Sequence, residues 1–513
     1  MQCAEPLPLT TPDDLWTAPI PPSIPEVREK GLSEKMAHNL STLPPELRRS
    51  VLLFLIEVCV NAPKSTHYTS PGLAPYAAVC REWQEVIERN TFSSLYLCLD
   101  KLDEFEKYVH GARRRRVRQI VVHIKAPEYS CDPCVQKETF DDKRRINDVF
   151  TRTLTRLFSL MHEWTPDEII PGGIRMNMTV SSPSDLRNVN LQLWQKRRWN
   201  NRDIGERRFA DSVVDFVGSD DVRRVVDVLK PVYAITCFVS EGLNRRAVMP
   251  AAYAEIISAL PNVREVYLNL MKDRRVLVRK RNFRQFGDLT IRWPQSLEKL
   301  VIRGNTISNW RQLPHAAIAE GDSGEYVSQC LQDFAAGLRS LAIANLVSIR
   351  SFFTSLWPEN EDDRDIVPAK ASTMTRCPVL ETVDLAYSSL LYKIDWYKEN
   401  RDFNYHGKIN EFRQELALAA SRFAIHMPAL QSFTLRQRPM MWAGRHELTY
   451  TVEEKHAVLL FSSSFDFEPA AWVVEAWTVV AKKCARKPLE VRNQRLVSYN
   501  PDGQQPMLPS PAF

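Results

Sequence analysis

A six-residue frame, apolar-x-x-apolar-x-apolar, recurs along the second half of the chain and constrains its fold more than any other feature. It stands at Val263/Val266/Leu268, Leu297/Leu300/Ile302, Leu338/Leu341/Ile343, Leu380/Val383/Leu385 and Leu430/Phe433/Leu435. Apolar residues one position apart are the signature of a strand with one buried face. Prolines 261, 294, 378 and 428 closely precede four of the frames. Weaker copies occur at Val117/Ile120/Val122 and Val232/Ile235/Cys237, and residues 251–260, 326–338 and 409–427 read as intervening helices. With only 16 glycines against 33 prolines, a chain of tight hairpins is disfavoured.

A short strand plus a helix, repeated, is the leucine-rich-repeat arrangement, with parallel strands on one face and helices on the other. Successive frames are farther apart than the roughly 20–29 residues of regular repeats. The expected solenoid is therefore irregular, with insertions at 271–293, 303–321, 357–376 and 390–408. A doubly wound α/β domain is the alternative that also alternates strands and helices; the recurring frame favours the repeat. Residues 448–461 as strands, 468–484 as a helix and 489–497 as a last strand are expected to close the open end, before a tail at 501–513.

Residues 1–38 hold prolines 6, 8, 12, 19, 21, 22 and 25 among polar residues and read as a disordered arm. Leu43-Pro44-Pro45-Glu46-Leu47 then opens a helix, because the first helical N–H groups lack intrahelical partners anyway. This helix should run to about Val60. Leu47, Val51, Leu55 and Val58 line one side, while Leu52, Phe54, Ile56 and Cys59 fill much of the rest, so it needs cover on two faces. After a polar loop a second helix is expected from Leu73 to Asn90, with Tyr76, Val79, Cys80, Trp83, Val86 and Ile87 at helical spacing.

These residues resemble the F-box, over about Leu40 to Phe92: the Leu43-Pro-Pro-Glu-Leu47 opening and Val79-Cys-Arg-Glu-Trp83 carry the match, although the inter-helix loop is longer than usual. The resemblance implies docking on the Skp linker of a cullin-RING ubiquitin ligase. The competing reading is a plain helical hairpin buried in the chain's own core. With the leucine-rich-like region behind it, the chain resembles F-box proteins of filamentous fungi, which implies a substrate adaptor and no single substrate. The domain reading is 1–38 arm, 39–95 F-box-like helical module, 96–500 irregular leucine-rich-repeat-like α/β region and 501–513 tail.

Lysine and arginine total 68 against 62 acids, a formal charge of +6 that demands no particular partner. The 10 cysteines are dispersed, as in a reducing cytoplasmic or nuclear compartment. The start lacks a basic-then-apolar signal and the end lacks a prenylation cysteine. Residues 51–60, the longest dense apolar run, are too short for the ~20 residues of a membrane span.

No glycine pattern fits a dinucleotide fingerprint, phosphate loop or nucleophile elbow, and His162-Glu163 and His446-Glu447 lack a second zinc-motif histidine. The acid pairs lie in polar runs, where carboxylates are poorly desolvated. No catalytic residue and no cofactor is therefore expected. Cys131-Asp-Pro-Cys134 has chelating spacing but is half of a four-ligand zinc site, so the expectation is no metal. The clusters Arg113–Arg118, Lys196–Trp199 and Arg274–Arg284 invite a nucleic-acid reading, but Arg113–Arg116 also suits a helix end before a strand.

The expectation is a non-catalytic adaptor in which Leu43, Pro44, Leu47, Val79, Cys80 and Trp83 meet the Skp linker. Strand alternation makes Tyr267, Asn269, Val301, Arg303, Ala342, Asp384, Thr434 and Arg436 the candidate surface for a protein substrate. The alternative is a ligase-independent interaction scaffold or a nuclear protein associated with nucleic acid.

Overall fold

The computed structural model describes residues 43–61, 74–77, 80–128, 138–184, 213–217, 229–240, 246–271, 286–288, 290, 292–305, 322–344, 349–358, 376–388, 405–440, 444–464 and 466–496. The protein is mixed α/β and divides into two compact units, before and after the Thr91/Phe92 boundary. Residues 92–95, read from sequence as the end of the helical module, fall in the second unit. The arm, the tail and Cys131-Asp-Pro-Cys134 lie outside the described residues, as does most of the four insertions.

In the first unit α1 (Pro45–Asn61) starts as expected, with Arg48 N–H donating to the Pro44 carbonyl at 3.0 Å and Glu46 in the first turn, where the helix dipole favours an acid. The expected second helix is divided into α2 (Ala74–Ala77) and α3 (Arg81–Thr91), and the Cys80 carbonyl accepts from Gln84 N–H at 2.9 Å. Leu52, Ile56, Trp83 and Ile87 form the core of this unit, with Leu55, Tyr76, Ala77 and Val86 packed around them.

The second unit is built on a 12-stranded sheet. Its strands are β1 (Ser94–Leu97), β2 (Gln119–Lys125), β3 (Ile174–Ser181), β5 (Ile235–Ser240), β7 (Glu265–Met271), β8 (Lys299–Asn305), β9 (Ser340–Ala344), β10 (Thr382–Ser388), β11 (Ser432–Met440), β12 (Gly444–Val452), β13 (Ala457–Ser463) and β14 (Leu489–Arg495). They lie side by side in chain order. β4 (Val213–Val214) and β6 (Ala247–Val248) pair separately. Pairing is parallel from β1 to β11, antiparallel through β12 and β13, and parallel again to β14. The last strands thus continue the sheet, and β14 forms its edge.

The sequence frames fall in register. Val266, Leu300, Leu341, Val383 and Phe433 form one row across β7 to β11, and Leu268, Ile302, Ile343, Leu385 and Leu435 the next. Each residue in these rows is buried. The helices α4 (Leu102–Tyr108), α5 (Phe140–His162), α6 (Pro250–Ser258), α7 (Asp322–Ala335), α8 (Ile349–Phe352), α9 (Tyr405–Ala424) and α10 (Ala471–Val480) bury residues in the same core. Strand entry repeats one device: the carbonyls of Ser93, Arg264, Glu298, Arg339 and Glu381 each accept two successive N–H groups from the next strand's start. That recurring shared acceptor satisfies backbone N–H groups that would otherwise be orphaned where parallel strands begin.

The weak copy at Val232/Ile235/Cys237 is out of register by three residues. Phe238 is the partner of Val266 and Ser240 that of Leu268, so Cys237 points to the opposite face from the frame rows. β3 enters through Gly172 and Gly173 at φ +92° and +75°. At Gly173 a Cβ would lie 2.2 Å from Thr236 Cγ2, so the close approach of β3 to β5 requires glycine. From the first insertion, Phe286 and Trp293 are core residues that pack edge to face at 5.5 Å, and Trp293 makes a second edge-to-face contact with Phe334 of α7 at 5.3 Å.

Candidate docking surfaces

α1 has two apolar faces, and its unit's own core uses one of them. Leu52 and Ile56 are buried against Trp83 and Ile87, while Arg48 meets Glu82 of α3 at 3.5 Å. About 150° round the helix, Leu47, Val51 and Phe54 share a stripe at i, i+4 and i+7. Their exposures are 52%, 39% and 68%. Three large apolar side chains in one exposed stripe mark an interaction face more often than chance exposure does.

Of the residues expected to meet a Skp linker, Leu43 is half-buried, and Pro44, Leu47 and Cys80 are exposed. Trp83 is buried at 4% exposure and packs inside the hairpin, so it supports the surface from beneath. Val79 lies outside the described residues. Phe54 and Val51 were not among the expected residues. Their signal was present in the three-to-four spacing from Leu47, but the helix's all-round apolarity hid which stripe stays open.

In the second unit the eight substrate candidates come together on the sheet face opposite the frame rows. Tyr267, Val301, Ala342, Asp384 and Thr434 form one continuous row. Asn269 and Arg303 lead, through Ala344 and Ala386, to Arg436 in the row beside it. Val301 and Thr434 are nonetheless buried, at 7% and 6% exposure, because β-branched side chains in mid-sheet are shielded by their neighbours. The other six are half-buried and form the accessible part of the surface.

Two charged groups stand on this face. Arg436 reaches Asp384 at 3.5 Å and Glu447 of β12 at 3.5 Å, and Arg445 meets Glu447 at 3.2 Å. Burial pushes the Asp384 carboxyl above its ordinary range; Arg436 and Arg303 oppose that shift and Glu447 adds to it. Asp384 Oδ1 and Asn269 Oδ1 are shielded acceptors with no hydrogen-bond partner among the described residues. In the second group the Tyr267 hydroxyl donates to Glu265 at 2.8 Å, with Arg175 and Lys299 over its ring at 5.8 and 5.3 Å. Burial raises the Tyr267 hydroxyl pKa, and the hydrogen bond to Tyr267 raises that of Lys299. Arg175 and Glu447 were not expected because they lie on strands without a frame, and Glu265 and Lys299 because they sit in the two-residue gap that opens their frames, ahead of the alternating positions.

The arginine cluster at 113–116 forms a 3-10 turn rather than the end of an α-helix. Its side chains are engaged: Arg114 pairs with Glu168 at 2.8 Å and lies over Trp164, Arg115 donates to the Asp167 carbonyl at 2.6 Å, and Arg113 lies over Phe92. Phosphates would have to compete with these contacts. The other two basic clusters lie outside the described residues. Among the described residues no group of three or more histidine, cysteine or acidic side chains could hold a metal ion, and no helix is long and apolar enough to cross a membrane. His446 is buried and meets Phe467 edge-on at 4.6 Å, and burial followed by Arg413 lowers its pKa to about 3.

Residues 292–505 match the model of a family of unknown function (DUF6546), from just before β8 through β14. No curated protein matches the chain.

Proposed function

We propose that the protein is a substrate-recognition adaptor of a Skp-cullin-F-box type ubiquitin ligase. The helical unit is read as an F-box that docks on the Skp linker, and the sheet unit as an irregular leucine-rich-type solenoid whose outward rows hold a protein substrate. The observation that carries the reading is the open stripe Leu47, Val51 and Phe54, on a helix whose opposite face is already packed. Helix-in-groove recognition uses anchors at this spacing. Burying each such side chain contributes about 1.5–3 kcal/mol. Twelve strands laid side by side in chain order support the solenoid reading of the second unit.

Such an adaptor needs no chemistry of its own. It raises the effective concentration of a substrate lysine beside a ubiquitin-loaded enzyme. The test is capture of a Skp linker by the full chain. Wild type is expected to be retained, and Leu43→Ala with Pro44→Ala to abolish retention while the melting temperature falls by only a few degrees. Equal capture by both proteins would remove the F-box docking mode.

A further inference from the structure

The exposed edge of β14 is complementary to itself, and we infer that two copies of this chain pair there as antiparallel strands across a two-fold axis at Val491. The direction of the free backbone groups comes from the ladder to β13. Leu496 N–H donates to the Ser463 carbonyl at 2.8 Å, and the Pro488 carbonyl accepts from Ala457 N–H at 2.9 Å. Even-numbered residues of β14 therefore turn their backbone groups inward to β13. Those of Leu489, Val491 and Asn493 turn outward, where β14 has no neighbouring strand among the described residues.

Antiparallel pairing joins residues whose outward groups face each other. With Val491 opposite the second copy's Val491, Leu489 and Asn493 face each other reciprocally, giving about six backbone hydrogen bonds. The intervening residues become close, non-hydrogen-bonded pairs. In this register Glu490 lies opposite Arg492 of the other copy and Arg492 opposite its Glu490. Moving the axis to Glu490 or Arg492 places like charges face to face instead, which disfavours those registers.

Glu490 and Arg492 are well placed for this exchange. Both are exposed, at 46% and 45% for their side chains, and lie on the same sheet face, already 2.7 Å apart within one strand. Charged residues usually guard a sheet edge against pairing. Here the guards are of opposite sign two residues apart, so they repel a misregistered strand and attract an identical one. Leu489 and Val491 are half-buried on the other face, against the chain's own core. A pair of strands makes a small interface, so the association is micromolar or weaker. The pairing uses none of the residues proposed to dock a Skp linker.

Light scattering and sedimentation of the full chain, from about 1 to 100 µM, test the inference. Wild type is expected to shift from monomer to dimer over that range. Val491→Pro removes an outward N–H without touching the β13 ladder and should leave a monomer with near wild-type melting. Glu490→Arg should weaken the dimer by on the order of tenfold or more, and Glu490→Arg with Arg492→Glu should restore it. A wild-type monomer at every concentration, a dimer that survives Val491→Pro, or a charge swap that fails to recover what the single change lost would each overturn it.

Discussion

Asp384 and Arg436 stand on neighbouring strands, two residues out of line, and their charged groups meet at 3.5 Å on the outward face of the sheet. Arg436 also holds Glu447, so one guanidinium neutralises two half-buried carboxylates. Replacing it is therefore expected to cost more than replacing either acid.

Arg436→Ala should destabilise the protein by about 1–2 kcal/mol, because Asp384 and Glu447 are left facing each other. Asp384→Asn should be close to neutral at pH 7. Its raised pKa means that the stabilising protonated form is complete below the ordinary value and lost as pH rises through the folded value. Urea denaturation at pH 7 checks the order, and a larger loss in Asp384→Asn than in Arg436→Ala would contradict it.

His446 gives the fold an acid sensitivity of the opposite sign. Its pKa falls from 6.5 to about 3 on burial, so its contribution is present above pH 6.5 and lost as pH falls towards 3. By pH 5 the unfolded state gains about 2 kcal/mol from protonating this ring. Melting curves from pH 7 to pH 5 should fall more steeply for wild type than for His446→Phe. Parallel curves would mean that the ring is not desolvated.

Gly173→Ala is expected to cost at least about 2 kcal/mol, since it combines a positive φ with a Cβ 2.2 Å from Thr236. Gly172→Ala carries the strain alone, with nothing within 4 Å of its Cβ, and should cost about 1 kcal/mol. Thermal melts of the two variants compare them directly. Equal losses would show that β3 and β5 can part to admit a methyl group.

The strands from β7 to β11 were legible because Val266, Leu300, Leu341, Val383 and Phe433 repeat one buried position. β5 was misplaced by three residues because Val232, Ile235 and Cys237 match the pattern while Ser240 occupies its true third site. β3 was missed altogether: of its four buried positions the two central ones are Met176 and Met178, whose unbranched side chains carry little strand signal, and only the outer ones, Ile174 and Val180, are β-branched. Outward residues could be named from alternation alone, yet alternation does not report that Val301 and Thr434 are shielded by their neighbours. On α1 the two apolar faces were legible as a need for cover. Which stripe stays exposed depends on where Trp83 lands, and that is set by tertiary packing.

The central claim, that α1 docks a Skp linker through its open stripe, is tested most directly by calorimetric titration of a Skp linker into wild type, Leu47→Ala with Phe54→Ala, and Leu52→Ala, each with a parallel melt. Wild type should bind. The stripe variant should lose more than about 2 kcal/mol of binding with little change in melting. Leu52→Ala should instead lose about 2–5 kcal/mol of stability in the helical unit, because it removes a core residue. Wild-type protein that releases no heat and captures no Skp linker, where another F-box protein does both, would contradict the adaptor account.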